Sequence, residues 1–219
     1  MKKWGLVFLC LFILSACDSL TKASFLNQKP LNEISLSENE EIIFSILAER
    51  IFYLDFKDSN KEFRSVEVGV DYYQNGEIVE KNGGLMINAN DLELEQKDER
   101  ARILFTMDRE ENEGNLSVYG DLKIMYDSGS SGSSSYSLER KGTERGSSSW
   151  GYLVDEIEDV TYDKKNYVAY YVENVESNVM RSFDLEVATK PNQDYEHVYM
   201  FYVIISDEPF CRSCLNRTF

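Results

Sequence analysis

Residues 65–79 read SVEVGVDYYQNGEIV. Val66, Val68, Val70 and Tyr72 alternate with Ser65, Glu67, Gly69 and Asp71, the period-two pattern of a strand with one face on a core and the other in water. Asn75-Gly76 follows between strand-like residues, and this dipeptide supplies the two positive φ angles that a two-residue antiparallel hairpin needs. The pattern recurs downstream. Ile103, Phe105 and Met107 alternate with Arg102, Leu104, Thr106 and Asp108. After a polar stretch, Glu110 to Asn115, alternation resumes at Leu116, Val118, Leu122, Ile124 and Tyr126. Tyr167 to Val172 and Tyr195 to Ile205 are apolar at both parities, which predicts central strands covered on both faces. Strands at short spacing with hairpin signals predict a mainly β fold: an antiparallel β-sandwich or partly open barrel with at most one or two short helices.

Two segments are less direct. Across Glu41 to Phe56, Ser37 and Glu40 fit a capping box, and Ile43, Ile46, Leu47, Ile51 and Leu54 fit a helix. The preponderance of Ile and Phe favours a strand instead. Asp184 to Lys190 predicts one helical turn stopped by Pro191. The low-complexity stretch Asp127 to Ser149, with its SGSSGSSS run, reads as a flexible surface loop, since so many small polar residues bury little apolar area against their ordering entropy.

The N-terminus, MKKWGLVFLCLFILSAC, has two lysines, an uncharged run from Trp4 to Ala16 and then Cys17. As a helix that run reaches about 20 Å, short of the ~30 Å hydrocarbon core, so it reads as a secretory signal rather than a span. Its end, Leu14-Ser15-Ala16-Cys17, resembles the lipobox of bacterial lipoproteins. The resemblance implies acylation of the Cys17 thiol, cleavage between Ala16 and Cys17, and anchoring on the extracytoplasmic face of the cell membrane. The Lys/Asn/Glu/Tyr-rich, Pro-poor body resembles small uncharacterised lipoproteins of low-GC Gram-positive bacteria. The expected organisation is a signal peptide over 1–16, a lipidated N-terminus and tether over 17–37, and a single extracytoplasmic domain over 38–219.

The formal charge of −16 becomes −18 once Lys2 and Lys3 are removed. A surface so acidic repels phosphate backbones, which excludes nucleic acid as an expected partner. Catalytic signatures are sparse. His197 is the one histidine, so no HExxH site can form and at most one Ser-His-Asp triad. It falls on the alternating series Tyr195, His197, Tyr199, Phe201, and reads as a structural sheet residue whose ordinary pKa near neutrality would let it respond to pH. Ser19-Leu20-Thr21-Lys22 matches an SxxK string but lies beside the anchor without a KTG partner, only Lys141-Gly142-Thr143.

Cys211 and Cys214 form a CxxC eight to five residues from the C-terminus, with no room for the helix that lowers a redox thiolate pKa. A small local disulfide and free thiols both remain open. Two acidic clusters, Asp108, Glu110, Glu111, Glu113 and Asp155, Glu156, Glu158, Asp159, lack the DxDxDG spacing of a calcium loop and read as solvated loops. Trp150, the one tryptophan after the signal, stands with Tyr152 beside the Ser/Gly run and forms a candidate ligand platform, although alternating tyrosines usually pack across strands. No catalytic residue, cofactor or metal ligand is assigned. The expectation is a membrane-anchored, non-catalytic binding domain for an envelope protein or cell-wall component. The alternatives are a carboxylate-dependent hydrolase and a cation-binding sensor or immunity-type lipoprotein.

Overall fold

The structure is a computed structural model, and it describes residues 29–57, 63–88, 100–127, 129–157, 159–175, 182–190 and 195–209. Ala16, Cys17, Cys211 and Cys214 lie outside the described residues. In chain order the elements are β1 (Leu31–Glu33), α1 (Glu38–Leu47), β2 (Arg50–Phe56), β3 (Ser65–Gln74), β4 (Glu77–Asn88), β5 (Ala101–Asn112), β6 (Asn115–Tyr126), β7 (Ser131–Lys141), β8 (Ser147–Tyr152), β9 (Asn166–Asn174), α2 (Leu185–Ala188) and β10 (His197–Ser206). They form two five-stranded antiparallel sheets, β1-β2-β5-β6-β7 and β4-β3-β10-β9-β8, stacked as a β-sandwich. We call these the first and second sheets.

The period-two residues meet between the sheets. Val66, Val68, Val70 and Tyr72 pack against Ile103, Phe105, Met107, Val118, Leu122 and Ile124, all buried. Phe201 stands at the centre, its ring centroid 4.9 Å from that of Phe52 and 5.4 Å from that of Phe105. Asn75 (φ 51°) and Gly76 (φ 77°) make the β3–β4 turn, with both residues in the left-handed region that a tight hairpin demands. The β5–β6 connection is as tight. Strand pairing runs on to Asn112↔Asn115, so Glu113 and Gly114 alone turn the chain where a longer polar loop was expected.

The expected apolar character of β10 on both faces has a structural reason. Tyr199, Phe201, Val203 and Ile205 face the sandwich interior. Val198 and Met200 face outward into a second, smaller cluster with Tyr73, Val172, Tyr195 and Ala188. The α2 segment lies over this outer face, and its Phe183 ring stacks on Tyr170 at 3.8 Å. Asp184 caps α2 by accepting from the Glu186 and Val187 N–H groups, at 2.9 and 3.2 Å.

Three expectations are corrected. The stretch Glu41 to Phe56 divides: its first part belongs to α1, and only Arg50–Phe56 is a strand. The Glu40 carboxylate accepts from the Ser37 N–H and Oγ–H at 2.8 and 2.6 Å, which fixes the helix start, and Ala48 turns to extended backbone at its end. Within the stretch read as tether, Leu31–Glu33 pairs with Phe56–Leu54 as an edge strand, so the sandwich begins at Leu31.

The Ser/Gly stretch read as a loop forms β7 and β8 instead. Along β7 the buried positions Tyr136, Leu138 and Arg140 alternate with exposed Ser135, Ser137 and Glu139. Small residues precede them because β4 crosses closely there: a Cβ on Gly132 would sit 2.4 Å from Ile87 Cδ1. Low apolar content here marks close packing at a sheet corner rather than an unordered chain.

Candidate functional site

A concavity of about 550 Å³ opens on the outer face of the second sheet, beside the patch that α2 covers. The pleat of β3 that sends Val70 and Tyr72 inward sends Asp71 and Tyr73 outward, and β9 presents Tyr167 next to them. Lys165, just before β9, completes the floor. Its Nζ donates to Asp71 Oδ1 and Oδ2 at 2.7 and 2.6 Å. Tyr167 donates to Asp71 Oδ2 at 2.8 Å, and its hydroxyl is 2.9 Å from that of Tyr73. The Lys165 ammonium also lies 4.0 Å from the Tyr202 ring centroid, and Tyr202 donates to Glu67 Oε1 at 3.4 Å. Glu77, Ile78 and Lys81 from the β3–β4 hairpin form one lip, and Thr189 after α2 also lines the hollow.

Burial and the neighbouring carboxylates push the Tyr167 and Tyr202 hydroxyls well above their ordinary range, and burial raises Tyr73 and Glu67 as well. These tyrosines therefore stay protonated at physiological pH and act as hydrogen-bond partners, not nucleophiles. Asp71 already accepts three hydrogen bonds. The floor offers a half-buried ammonium and phenol hydroxyls, with an apolar edge at Ile78: chemistry suited to holding a polar molecule.

A second charged cluster, buried except at Glu49, ties the two sheets together. Glu173, on β9 and fully buried, accepts from Arg109 of β5 at 3.1 Å, from Arg140 of β7 at 2.9 Å and from the Gly146 N–H at 3.1 Å. Arg109 also forks onto both oxygens of Glu49, with Nε to Oε2 at 2.9 Å, and lies 5.3 Å over the Tyr171 ring. Two arginines and two carboxylates balance. The ion pairs hold Glu49 below the usual carboxylate range despite its partial burial, and Arg109 above the usual guanidinium range. No sequence motif announces this cluster, because its members are brought together from four separate segments.

His197 lies on the interior side of β10, across the sheet from the concavity, with Nδ1 2.8 Å from the Tyr72 hydroxyl. It is a structural sheet residue as expected, but its expected response near neutral pH is corrected. Burial, reinforced by the Arg140 charge, lowers its pKa from 6.5 to about 4. The folded state resists protonation that the unfolded chain accepts, so the stability this contributes is complete above pH 6.5 and is lost as pH falls from 6.5 toward 4. Roughly 3 kcal/mol is expected to disappear across that window by linkage. Urea unfolding of wild type and His197→Gln at pH 7 and pH 4.5 checks this: the variant should lose clearly less stability between the two pH values.

The two candidate platform residues lie near each other, Tyr152 packed against the core and Trp150 half-exposed. Tyr152 meets Phe52 edge-on at 5.5 Å and accepts from the Tyr53 N–H at 3.1 Å. Trp150 is 47% exposed, lies edge-on to Phe52 at 6.2 Å, and has the Arg50 guanidinium 5.3 Å over its ring. In the first acidic cluster, Asp108 accepts from the Glu49 N–H at 2.9 Å and Glu111 pairs with Arg145 at 3.5 Å. In the second, Asp155 receives Lys29 on its backbone carbonyl at 2.7 Å, and Glu158 lies outside the described residues. Among the described residues no group of three or more His, Cys, Asp or Glu side chains is arranged to hold a metal ion. Among the same residues no helix is long and apolar enough to cross a membrane.

A family described as the YgaN domain matches residues 31–205. The chain belongs to the YgaN domain family. No curated protein and no solved structure matches the chain. The YgaN match begins at the first residue of β1 and ends inside β10, so α1, the concavity and the Glu173 cluster all fall within the YgaN domain. Cys17 and the Cys211/Cys214 pair fall outside it.

Proposed function

We propose that the chain is a lipoprotein held on the extracytoplasmic face of the cell membrane through Cys17, and that its YgaN domain is a non-catalytic binding module for an envelope protein or cell-wall component. The anchor reading rests on Leu14-Ser15-Ala16-Cys17 after a short charged and apolar leader. The binding reading is carried by one observation: a solvent-open hollow floored by Asp71, Lys165 and Tyr167, whose ionised and hydroxyl groups are fixed by one another. Such a floor is preorganised for recognition. Asp71 is committed to a lysine and a phenol, which supports binding over general acid–base work.

For the anchor, Cys17→Ser is expected to abolish palmitate incorporation and leave the precursor unprocessed, because a hydroxyl does not replace the thiol in acyl transfer; normal labelling of that variant would reject it. For the hollow, a photo-crosslinking residue placed at Ile78, on the lip, should give adducts in intact cells that the same residue at Tyr119, exposed on β6 of the other sheet, does not. Indistinguishable adducts from the two positions, or none, would rule out the concavity as the binding surface.

A further inference from the structure

Helix α1 is amphipathic, and among the described residues nothing covers its apolar side. None of its ten residues is buried, and Ile42, Ile43, Ile46 and Leu47 are between 55% and 79% exposed. At 100° per residue these four fall within an arc of roughly 140°. Phe44 lies outside that arc and docks the helix on the domain, edge-on to Tyr53 with centroids 6.3 Å apart. Glu38, Glu41 and Ser45 occupy the opposite, polar arc. Four large aliphatic side chains are therefore presented away from the sandwich. Where α1 hands over to β2, Arg50 stacks on half-exposed Trp150, a pairing of basic and amphipathic aromatic groups suited to a lipid headgroup region.

We infer that the apolar face of α1 seats on the surface of the membrane to which the chain is tethered. This rests on the anchor reading above. Cys17 precedes Lys29, the first described residue, by 12 residues, a reach of at most about 40 Å. The helix is thus held permanently within range of the bilayer, and a weak contact becomes an intramolecular one at high effective concentration. The helix is too short and, with three glutamates in its first turn and no basic residue, too acidic to hold a membrane unaided. As for two copies meeting through α1, a helix of about 15 Å buries too little area for a stable dimer. Seating through this face would set the orientation in which the domain is displayed.

The test uses the full-length lipidated protein, with Cys211 and Cys214 replaced by Ser, reconstituted into vesicles of equimolar phosphatidylcholine and phosphatidylglycerol. An environment-sensitive fluorophore is attached at Ile46→Cys, or at Ser45→Cys on the polar arc. The label at position 46 is expected to be several-fold brighter than at 45, and to be quenched when the lipids carry brominated acyl chains. Equal, water-like emission from both positions would overturn the proposal. So would a bright label at 46 that brominated lipids leave unquenched, since a second copy or another protein would then cover the face. Palmitate labelling of the same preparation separates the two readings. A lipidated protein with a water-exposed position 46 defeats only the seating of α1, whereas an unlipidated protein defeats the anchor and this proposal with it.

Discussion

Glu173→Ala is expected to cost the domain about 3–5 kcal/mol, because it strands the buried Arg140 guanidinium and removes one of two carboxylates from Arg109. For a domain of this size that corresponds to a fall in melting temperature on the order of 10 °C. Arg140 and Glu173 are both sealed from water, so neither charge regains hydration when its partner goes. The double change Glu173→Met with Arg140→Met should be less damaging than Glu173→Ala alone, since Arg109 and Glu49 remain as a matched pair. By contrast Lys190→Ala, which removes an exposed pairing with Glu186 along α2, should fall within about 0.5 kcal/mol of wild type. Thermal and urea unfolding of the three variants checks the ordering. If Glu173→Ala proved as mild as Lys190→Ala, the cluster would not be a structural clamp between the sheets.

Val68→Asp should destabilise by several kcal/mol, a large share of the 5–15 kcal/mol that holds a typical domain folded. Val68 is fully buried on the interior face of β3, paired with Val203 on one side and Leu85 on the other, and an aspartate there has no partner. Its chain neighbour points the other way. From the alternation alone, Glu67→Lys would be nearly neutral, as a change on a wet face. The structure changes that expectation: Glu67 is partly buried, accepts from Tyr202, and lies in the electrostatic reach of Lys165 and Asp71. A lysine there would face the Lys165 ammonium, and a cost of about 1–2 kcal/mol is expected, still well below that of Val68→Asp. Urea midpoints for the two variants distinguish them; equal tolerance would show that β3 presents the opposite face to the core.

The sandwich was legible because its signal is local. Val66, Val68, Val70 and Tyr72 declare a strand and its buried face within seven residues. Asn75-Gly76 declares the turn, and the doubly apolar run Tyr195 to Ile205 declares a strand covered on both sides. Hydrophobic periodicity and turn chemistry act over neighbours in the chain, so no fold is needed to read them. The Ser37–Glu40 cap was equally present in the sequence, and it outweighed the β-branched character of the residues after it. β7 was missed for the opposite reason: its Tyr136, Leu138, Arg140 alternation follows residues kept small by β4, which lies far away in the chain.

The site and the charge clamp belong to tertiary structure. Asp71 and Lys165 are 94 residues apart, and Arg109 and Glu173 are 64 apart. In a chain with 39 acidic and 23 basic residues, composition permits a very large number of such pairs. Which carboxylate meets which cation follows from strand order and register, above all from β10 lying between β3 and β9, the arrangement in which Asp71 of β3 meets Lys165 and Tyr167. The pKa of His197 has the same origin, since an imidazole takes its proton affinity from what surrounds it. The sequence dictated strands, turns and buried faces, because those are settled between near neighbours. Packing settled which charges are paired and which tyrosines stay protonated, because burial and pairing exist only once distant segments meet.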